Sequence, residues 1–171
     1  MAPALPDLRT ERLLLRRLGV EDLPAVVEIQ TDPRTHPYDP PPESTARVRM
    51  QFVLWQRHWV EHRFGYLAVV EVETGRIVGL GGVQFKDLED EPVLNLYYRF
   101  RPEVWGKGYA PEMAKAVLAW AERAIPERPV VIVTNVDNEP ACRVAEKLGF
   151  VEYRQADYDG APARFFRNRP R

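Results

Sequence analysis

The 171-residue chain holds 24 lysines and arginines against 25 aspartates and glutamates, so its formal net charge of -1 gives no general attraction to nucleic acid or to an anionic membrane. No apolar run approaches the roughly 20 residues that a membrane span requires, and the first residues lack the pattern of a secretion signal. The single cysteine, Cys142, excludes an internal disulfide, so we expect one cytoplasmic domain over residues 1–171.

The first third of the chain predicts one strand and two helices. Residues 9–18 contain three consecutive leucines and indicate a strand. The apolar spacing that follows predicts a helix, which should end near Pro33 because proline disfavours helical geometry in the residue before it. After a proline-rich loop at 37–42, an apolar stripe predicts the second helix. Its members are Val48, Phe52, Trp55 and Trp59.

The middle of the chain predicts a β-meander. Residues 66–72 are rich in β-branched side chains, residues 73–76 have the composition of a turn, and residues 77–85 return as a second strand. We expect an acidic loop at 87–92. Residues 93–100 then alternate between apolar and polar side chains, which predicts a strand with one buried face.

The last third predicts a helix after residue 110, and then a short strand at 129–134 that is covered on both faces. Asn138 has the character of an N-cap for the next helix, and Gly149 that of its terminator. Two final strands should flank the turn at 159–160. The order β-α-α-β-β-β-α-β-α-β-β predicts an α/β fold with a mixed sheet, the α+β arrangement, rather than a regular βαβ array.

The segment at 104–112, with the sequence VWGKGYAPE, lies between the third meander strand and a helix. Gly106 and Gly108 allow a tight turn and a close approach of backbone to ligand, while the amides at the helix start and the helix dipole favour an anion. The Walker and Rossmann patterns both fail here, since no hydroxyl follows Lys107 and Pro111 stands where a third glycine is needed. We predict a pyrophosphate site, with a tight turn that binds nothing as the alternative.

A second segment, residues 134–150, contains Asn138 and ends in Leu-Gly-Phe, and the chain opens with Thr-Glu-Arg-Leu-Leu-Leu-Arg at 10–16. Together with the segment at 104–112, which we call the glycine loop, these segments resemble the GNAT superfamily of N-acetyltransferases. They are most similar to the branch that contains the ribosomal-protein N-terminal acetyltransferases. The resemblance covers nearly the whole chain and implies the GNAT fold, with acetyl-coenzyme A as co-substrate.

The resemblance also implies where acetyl-coenzyme A lies. In the family the third meander strand splays from its neighbour, and the pantetheine arm occupies the gap. Main-chain groups of Tyr98, Phe100 and Arg101 would then pair with the arm, and Asn138 would contact its pantetheine side. Backbone amides of the loop would hold the pyrophosphate. These loop residues are Trp105, Gly106, Lys107, Gly108, Tyr109 and Ala110.

Several positions depart from the family pattern or extend it. Trp105 stands where the loop usually carries Gln or Arg, and Ala141 replaces a frequent serine. Ala145 stands where many relatives carry a tyrosine that protonates the departing thiolate. Arg143 or Lys147 would approach the 3′-phosphate of the cofactor, with a solvated charge on the helix face as the alternative.

The candidates for a general base are few. Glu71 and Tyr98 both border the substrate side of the central strands, whereas the amide of Asn95 cannot accept a proton. A neutral amine arriving through a water chain would need no dedicated base. A backbone amide near the end of the strand at 93–100 could stabilise the oxyanion.

No metal site is predicted, because His58 and His62 lack the intervening glutamate of a zinc helix motif. We therefore expect an N-acetyltransferase that transfers acetyl from acetyl-coenzyme A to a primary amine by direct attack. The acceptor would be a protein N-terminus or a small-molecule amine. The alternatives are a non-catalytic acyl-coenzyme A binding module and a purely structural protein. A homodimer through a strand edge or the second helix is also possible. Gly108→Val should block cofactor binding by filling the place of the phosphate.

Overall fold

The computed structural model describes residues 1–41 and 44–169, so the last proline of the predicted proline-rich loop, Pro42, lies outside the described residues. Within these residues, eight strands form one mixed sheet in the order β1-β2-β3-β4-β5-β6-β8-β7, and four α-helices cover it. The elements are β1 Leu8–Arg9, β2 Leu13–Arg17, α1 Leu23–Thr31, α2 Thr45–His62, β3 Tyr66–Glu71, β4 Ile77–Leu88, β5 Glu91–Phe100, α3 Tyr109–Ala124, β6 Val130–Asn135, α4 Glu139–Lys147, β7 Val151–Tyr158 and β8 Ala161–Arg167. The predicted α+β class with a mixed sheet is confirmed.

The helices cover the two faces of the sheet in pairs. Apolar residues of α1 and α2 pack on one face, and those of α3 and α4 pack on the other. The predicted stripe of α2 is buried along its whole length, although Trp59 at its end joins the α3 side of the core. The Trp59 indole donates a hydrogen bond to the Tyr66 carbonyl at 2.8 Å, which satisfies its polar atom inside the core.

Helix ends follow the local signals closely. α1 ends at Thr31, before the Asp-Pro pair, and the Asn138 side chain accepts a hydrogen bond from the Ala141 amide at the start of α4. Gly149, which follows the C-cap residue Leu148, has a φ of +83°, and its amide bonds to the carbonyl of Glu146 at 2.9 Å. This left-handed residue ends the helix without the steric penalty that a Cβ would bring.

Two predicted segments differ from the structure. The strand expected at 9–18 is divided into β1 and β2, because the chain turns between them and folds β1 back antiparallel to β2. The expected acidic loop at 87–92 is instead a tight turn at Glu89 and Asp90, with positive φ at both, and β4 and β5 extend up to it. Charged side chains at the exposed end of this hairpin interrupt the alternation of apolar and polar residues, so the sequence pattern does not identify them as part of a strand.

The pairing of β5 with β6 is the feature that shapes the functional region. These strands run parallel and pair only at Leu94 with Val130 and at Asn95 with Val131. Beyond Asn95 each strand continues without the other, so the sheet opens into a V between them. On its opposite side β5 stays paired with β4 through Phe100. The opening therefore belongs to β5 and β6 alone.

His58 ties α2 to the meander and should make stability depend on pH. Its Nδ1 lies 2.8 Å from the Phe64 carbonyl, and its Nε2 accepts a hydrogen bond from the Phe85 amide at 3.1 Å. Burial lowers the pKa of His58 below its ordinary value of 6.5. The unfolded chain then binds a proton more readily than the folded chain, so the free energy of unfolding should decrease as pH falls below 6.5 toward the folded-state pKa.

Thermal denaturation of the wild type and of His58→Gln between pH 7 and pH 5 measures this dependence. The variant lacks the titrating imidazole, so its loss of stability on acidification should be smaller than that of the wild type. Parallel curves for the two proteins would show that His58 is not responsible.

Candidate active site

A cleft of about 490 Å³ opens at the wide end of the V. The end of β5 and the glycine loop form one side, and one face of α4, from its N-cap to its last residue, forms another. Residues 35–39, between α1 and α2, close the cleft from the opposite face of the sheet. We call residues 35–39 the bridging segment. The cleft therefore combines an open strand edge with two helix N-termini.

The main chain of β5 turns alternate residues toward the opening. The Arg101 amide bonds to the Val78 carbonyl of β4 at 2.8 Å, and the Leu94 amide bonds to the Pro129 carbonyl beside β6 at 2.9 Å. In an antiparallel ladder the bonded residues alternate, so Tyr98 and Phe100 direct their main-chain groups away from β4, as Leu94 does. Both therefore present backbone polar groups to the V, where no strand pairs with them.

Arg101 does not share this arrangement. Besides its bonded amide, its guanidinium donates to the Ile77 carbonyl and to Glu28 Oε2, both at 2.8 Å. These contacts hold Arg101 against the start of β4 and α1, and it is absent from the cleft lining. The structure thus brings Tyr98 and Phe100 to the cleft and leaves Arg101 outside it.

The glycine loop presents backbone amides to the cleft. Gly106 and Gly108 have φ values of +78° and +80°, a conformation that favours glycine. Gly108 is the N-cap of α3, so no side chain caps this helix. The first amides of the helix have no intrahelical acceptor, which leaves those of Tyr109 and Ala110 available to an anion. Ala110 and both glycines line the cleft.

Arg12, in the turn between β1 and β2, is bonded to the glycine loop. Its guanidinium donates to the Lys107 carbonyl at 2.8 Å and to the Glu112 carboxylate at 2.6–2.7 Å, while the Arg12 amide and the Thr10 hydroxyl also donate to Glu112. A Cβ on Gly108 would lie 3.5 Å from the Arg12 guanidinium. The turn between β1 and β2 is thereby bonded to the loop at Lys107 and to the first turn of α3 at Glu112. We call Arg12, Glu112 and the Lys107 carbonyl the loop clamp.

The clamp adds a second effect to Gly108→Val. A Cβ there would lie in van der Waals contact with the Arg12 guanidinium, so the variant would disturb the clamp as well as the loop, and the loss of cofactor binding stays a prediction. A Cβ on Gly106 would instead find nothing within 4 Å, and Gly106 lines the cleft. Gly106 is therefore the position at which an added side chain extends into open space beside the loop.

Glu71, one of the candidate bases, lies beside the loop and not among the cleft-lining residues. Its carboxylate accepts hydrogen bonds from the Tyr109 hydroxyl at 2.5 Å and the Thr74 hydroxyl at 2.8 Å, and Lys107 Nζ lies 3.7 Å away. The bonds from Tyr109 and Thr74 lower the pKa of Glu71. A carboxylate held as an anion by these partners supports the start of α3 and is a weak proton acceptor.

Trp105 and Lys107 occupy different sides of the loop. Trp105 lines the cleft with its side chain half exposed, and its indole donates to the Phe100 carbonyl at 3.0 Å. That bond engages the carbonyl of Phe100 and leaves its amide to face the V. Lys107 is absent from the cleft lining and instead approaches Glu71.

On α4, Asn138 and Lys147 line the cleft, whereas Arg143 does not. Arg143 forms an exposed pair with Glu139 at 3.7 Å. Of the two cations considered for a terminal phosphate, Lys147 is the one that the structure places at the cleft. Asn138 lines the cleft while its side-chain oxygen caps α4.

Tyr98 lines the cleft and carries a shifted pKa. Burial raises the pKa of its hydroxyl, and the neighbouring Cys142 sulfur adds to the rise. Burial also raises the pKa of Cys142, so its thiol stays protonated. Tyr98 therefore holds its proton at neutral pH, which suits a proton donor and not a base.

The bridging segment lines the cleft through contacts that the sequence pattern does not reveal. Arg99 of β5 donates to Asp39 Oδ2 at 3.1 Å, and Asn135 of β6 donates to the Tyr38 carbonyl at 3.1 Å. Although burial opposes it, the bond from His36 and the charge of Arg99 lower the pKa of Asp39. The segment is thus tied to both strands that border the V. Nothing in its local sequence indicates these distant partners.

Two further observations concern the parts of the chain that the structure describes. None of their helices is both long and apolar enough to cross a membrane. Within residues 1–41 and 44–169, no three or more His, Cys, Asp or Glu side chains converge in a way that could hold a metal ion.

Comparison with known proteins gives a consistent result. Residues 12–151 match the family described as acetyltransferase (GNAT) domain. The chain is 23% identical over 163 residues to the uncharacterized N-acetyltransferase p20 of Bacillus licheniformis, covering 94% of this chain and 91% of that protein.

Solved structures share the fold. The acetyltransferase from Agrobacterium tumefaciens str. C58 has a TM-score of 0.83 at 26% identity, with 99% of this chain and 98% of that chain covered. The ribosomal-protein-S5-alanine acetyltransferase from Vibrio fischeri has a TM-score of 0.74 at 19% identity, with 94% of each chain covered.

Gly106→Val tests the loop. The added side chain should extend into the cleft and weaken binding of coenzyme A by about 10-fold or more, ~1.4 kcal/mol. Gly160→Val is the matched control, because Gly160 also has a positive φ of +83° and open space around its Cβ position but lies in the β7–β8 turn. Both variants carry a similar backbone strain of about 1–2 kcal/mol. Equal affinities of the two variants in calorimetry would contradict a role for the loop in binding.

Arg12→Ala tests the loop clamp. It leaves the Lys107 carbonyl and the Glu112 carboxylate without the guanidinium, so the loop should lose its fixed shape and the Kd for coenzyme A should rise. Arg12→Lys should restore binding only in part, because one ammonium cannot reproduce the planar fork. Arg9→Ala, on exposed β1, is the control. An unchanged Kd for Arg12→Ala, with thermal stability verified, would rule out the clamp.

Proposed function

The chain belongs to the GNAT acetyltransferase family, and we propose on that basis that it is an N-acetyltransferase that transfers acetyl from acetyl-coenzyme A to a primary amine in a ternary complex. The acceptor is a protein N-terminus or a small-molecule amine. The observation that carries the proposal is the V between β5 and β6 with the uncapped N-terminus of α3 at its wide end. An open strand edge leading from an anion site fits a co-substrate with a diphosphate and an amide-bearing arm.

The residues present fit acetyl-coenzyme A. Amides of the loop at Gly106 to Ala110 would bind the diphosphate, aided by the dipole of α3. The main-chain groups of Tyr98 and the amide of Phe100 would pair with amides of the arm as a strand partner does. Lys147 would approach a phosphate by its charge. The fit rests on backbone groups left without partners, which an extended amide chain can satisfy.

The acyl end should lie near the closed end of the V. β5 runs about 17 Å from Phe100 back to Asn95, at roughly 3.4 Å per residue. An arm that starts at the loop and follows this strand therefore directs its far end toward Asn95 and Leu96. Leu96 lies two residues before Tyr98 on β5, so its amide also faces the V. It is placed there to stabilise an oxyanion.

Bound acetyl-coenzyme A supplies a thioester whose carbonyl carbon accepts the amine and whose thiolate departs. The chain contributes alignment first, since holding two reactants together can account for about 7–11 kcal/mol of barrier reduction. Its second contribution is a backbone amide of β5 that can donate a hydrogen bond to the oxyanion. No described carboxylate of the cleft is free of a cationic partner, because Asp39 is held by Arg99. We therefore propose that the amine arrives neutral or loses its proton to water.

Tyr98 is the proposed proton donor to the departing thiolate. Position 145 of α4, where relatives carry a tyrosine, is here a fully buried alanine. Tyr98 reaches the neighbourhood of the same helix from β5, as its interaction with Cys142 indicates. Its raised pKa keeps the proton available at neutral pH. The Tyr98 hydroxyl on β5 would thus take the role of the tyrosine hydroxyl that many relatives carry on α4.

The central experiment measures release of coenzyme A thiol with a panel of primary amines, together with thermal stabilisation by acetyl-coenzyme A. A ligand at 100 times its Kd should add about 2.7 kcal/mol to the free energy of unfolding. Turnover with at least one amine supports the transferase. Stabilisation without turnover on any amine would favour the non-catalytic binding module, which the alanine at 145 makes a specific competitor. No stabilisation would overturn both.

Tyr98→Phe tests the proton donor. General acid catalysis typically contributes 10²–10⁴-fold, so we expect kcat to fall roughly 100-fold while KM for acetyl-coenzyme A changes little. Tyr158→Phe, on the edge strand β7, is the matched control. A kcat for Tyr98→Phe equal to that of the control would exclude Tyr98 from proton transfer.

A further inference from the structure

A second cavity of about 410 Å³ lies on the α2 side of the sheet. Its walls come from α2, from β4 and β5, and from the turn between β7 and β8. Trp55 and Tyr66 meet edge to face at 5.2 Å, and Tyr97 packs 5.0 Å from Tyr66, so one wall is aromatic. Gln84 and Asn95 provide amide groups on the sheet itself. We call this space the amide pocket.

The amide pocket adjoins the closed end of the V. Asn95 is the last residue of β5 that pairs with β6, and Gln84 lies directly opposite Asn95 in the β4–β5 ladder. The side chains of Asn95 and Tyr97 point to the α2 face, opposite to that of Tyr98. The pocket is thus reached from the face that α3 and α4 leave free, at the position where an acyl group following β5 would end.

The side-chain amide of Gln84 has a donor that no hydrogen bond satisfies among the described residues. Its Nε2 is buried and has no hydrogen-bond partner among the described residues. Leaving such a donor unpaired is unfavourable, so the group calls for an acceptor from a bound molecule. The assignment of nitrogen and oxygen within the amide does not alter this, because another amide offers both a donor and an acceptor. Asn95 already donates to the Tyr66 hydroxyl at 3.1 Å.

The charges of the pocket argue against a polycation. The charged side chains among its lining residues are Lys86 and Asp159, which carry opposite signs. Burial lowers the pKa of Lys86, and the charge of Asp159 opposes that change. The carboxylate is therefore already balanced by an ammonium. A site for a polyamine would need several carboxylates without cationic neighbours.

From these observations, and resting on the proposed transferase function, we infer that the amide pocket takes the acceptor and that the acceptor is the α-amine of a peptide. Gln84 binds the first peptide group that follows the amine, and the aromatic wall packs against the first side chain. The amine is then presented to the acyl group at the closed end of the V. Gln84 is in this view a specificity-determining residue.

The test compares two acceptors of similar length with wild type and Gln84→Met. One is a dipeptide amide, and the other is an unbranched alkyl amine without an amide. The dipeptide amide should have the higher kcat/KM with wild type. Gln84→Met should lower that value by about 10-fold or more, and should lower the kcat/KM for the alkyl amine by much less. Gln155→Met, on β7, is the matched control.

Two additions keep the result decisive. Gln84→Glu, which preserves the shape of the side chain, should lower kcat/KM for the dipeptide amide and raise it for spermidine, and it replaces Gln84→Met if that variant fails to fold. Titration of the dipeptide amide into protein saturated with coenzyme A measures binding apart from turnover. Binding that depends on Gln84 without any acetylation would overturn the transferase and keep the pocket assignment. Acetylation that favours spermidine or the alkyl amine, or that ignores Gln84, would overturn the pocket assignment and keep the transferase.

Discussion

The early separation of β5 from β6 is the constraint on which the rest of the site depends. Parallel strands usually satisfy their main-chain groups along their shared length, but here the ladder ends after Asn95. Beyond that point the main-chain groups of Leu96 and Tyr98 and the amide of Phe100 face the V, where no strand pairs with them. The same separation brings the N-termini of α3 and α4 to one opening, since each helix follows one of the two strands. Both the proposed anion site and the proposed site of the arm follow from one interrupted pairing.

The opening is held in shape by contacts from distant parts of the chain. The loop clamp fastens the glycine loop to the turn between β1 and β2, and the Glu71–Tyr109 bond supports the same loop from β3. On the other face, the bridging segment is tied to β5 by Arg99 and to β6 by Asn135. An exposed ion pair alone contributes little to stability. Several bonds that converge on one loop matter more for its geometry, which determines how well its amides fit an anion.

Electrostatics in the two cavities are local and balanced. Carboxylates in or beside the cleft are paired with cations, as in Asp39 with Arg99, or bound by hydroxyls, as in Glu71. The described cleft therefore offers no strong base, and the proposed chemistry depends on backbone donors and on a tyrosine that retains its proton. The amide pocket is nearly neutral, and its proposed acceptor is accordingly one that is recognised by hydrogen bonds.

The sequence by itself determined the elements that depend on neighbours within a few residues. The buried stripe of α2, the cap at Asn138, the terminator at Gly149 and the two glycines of the loop are all recognised within one or two turns of chain. Only the tertiary structure decided the roles that depend on contacts across the fold. Arg12 meets Glu112 over a separation of 100 residues, Arg101 turns from the cleft to Glu28, and Gln84 meets the closed end of the V. Periodicity and capping act through local backbone geometry, whereas the partner of a long side chain depends on which strands the folded sheet places side by side.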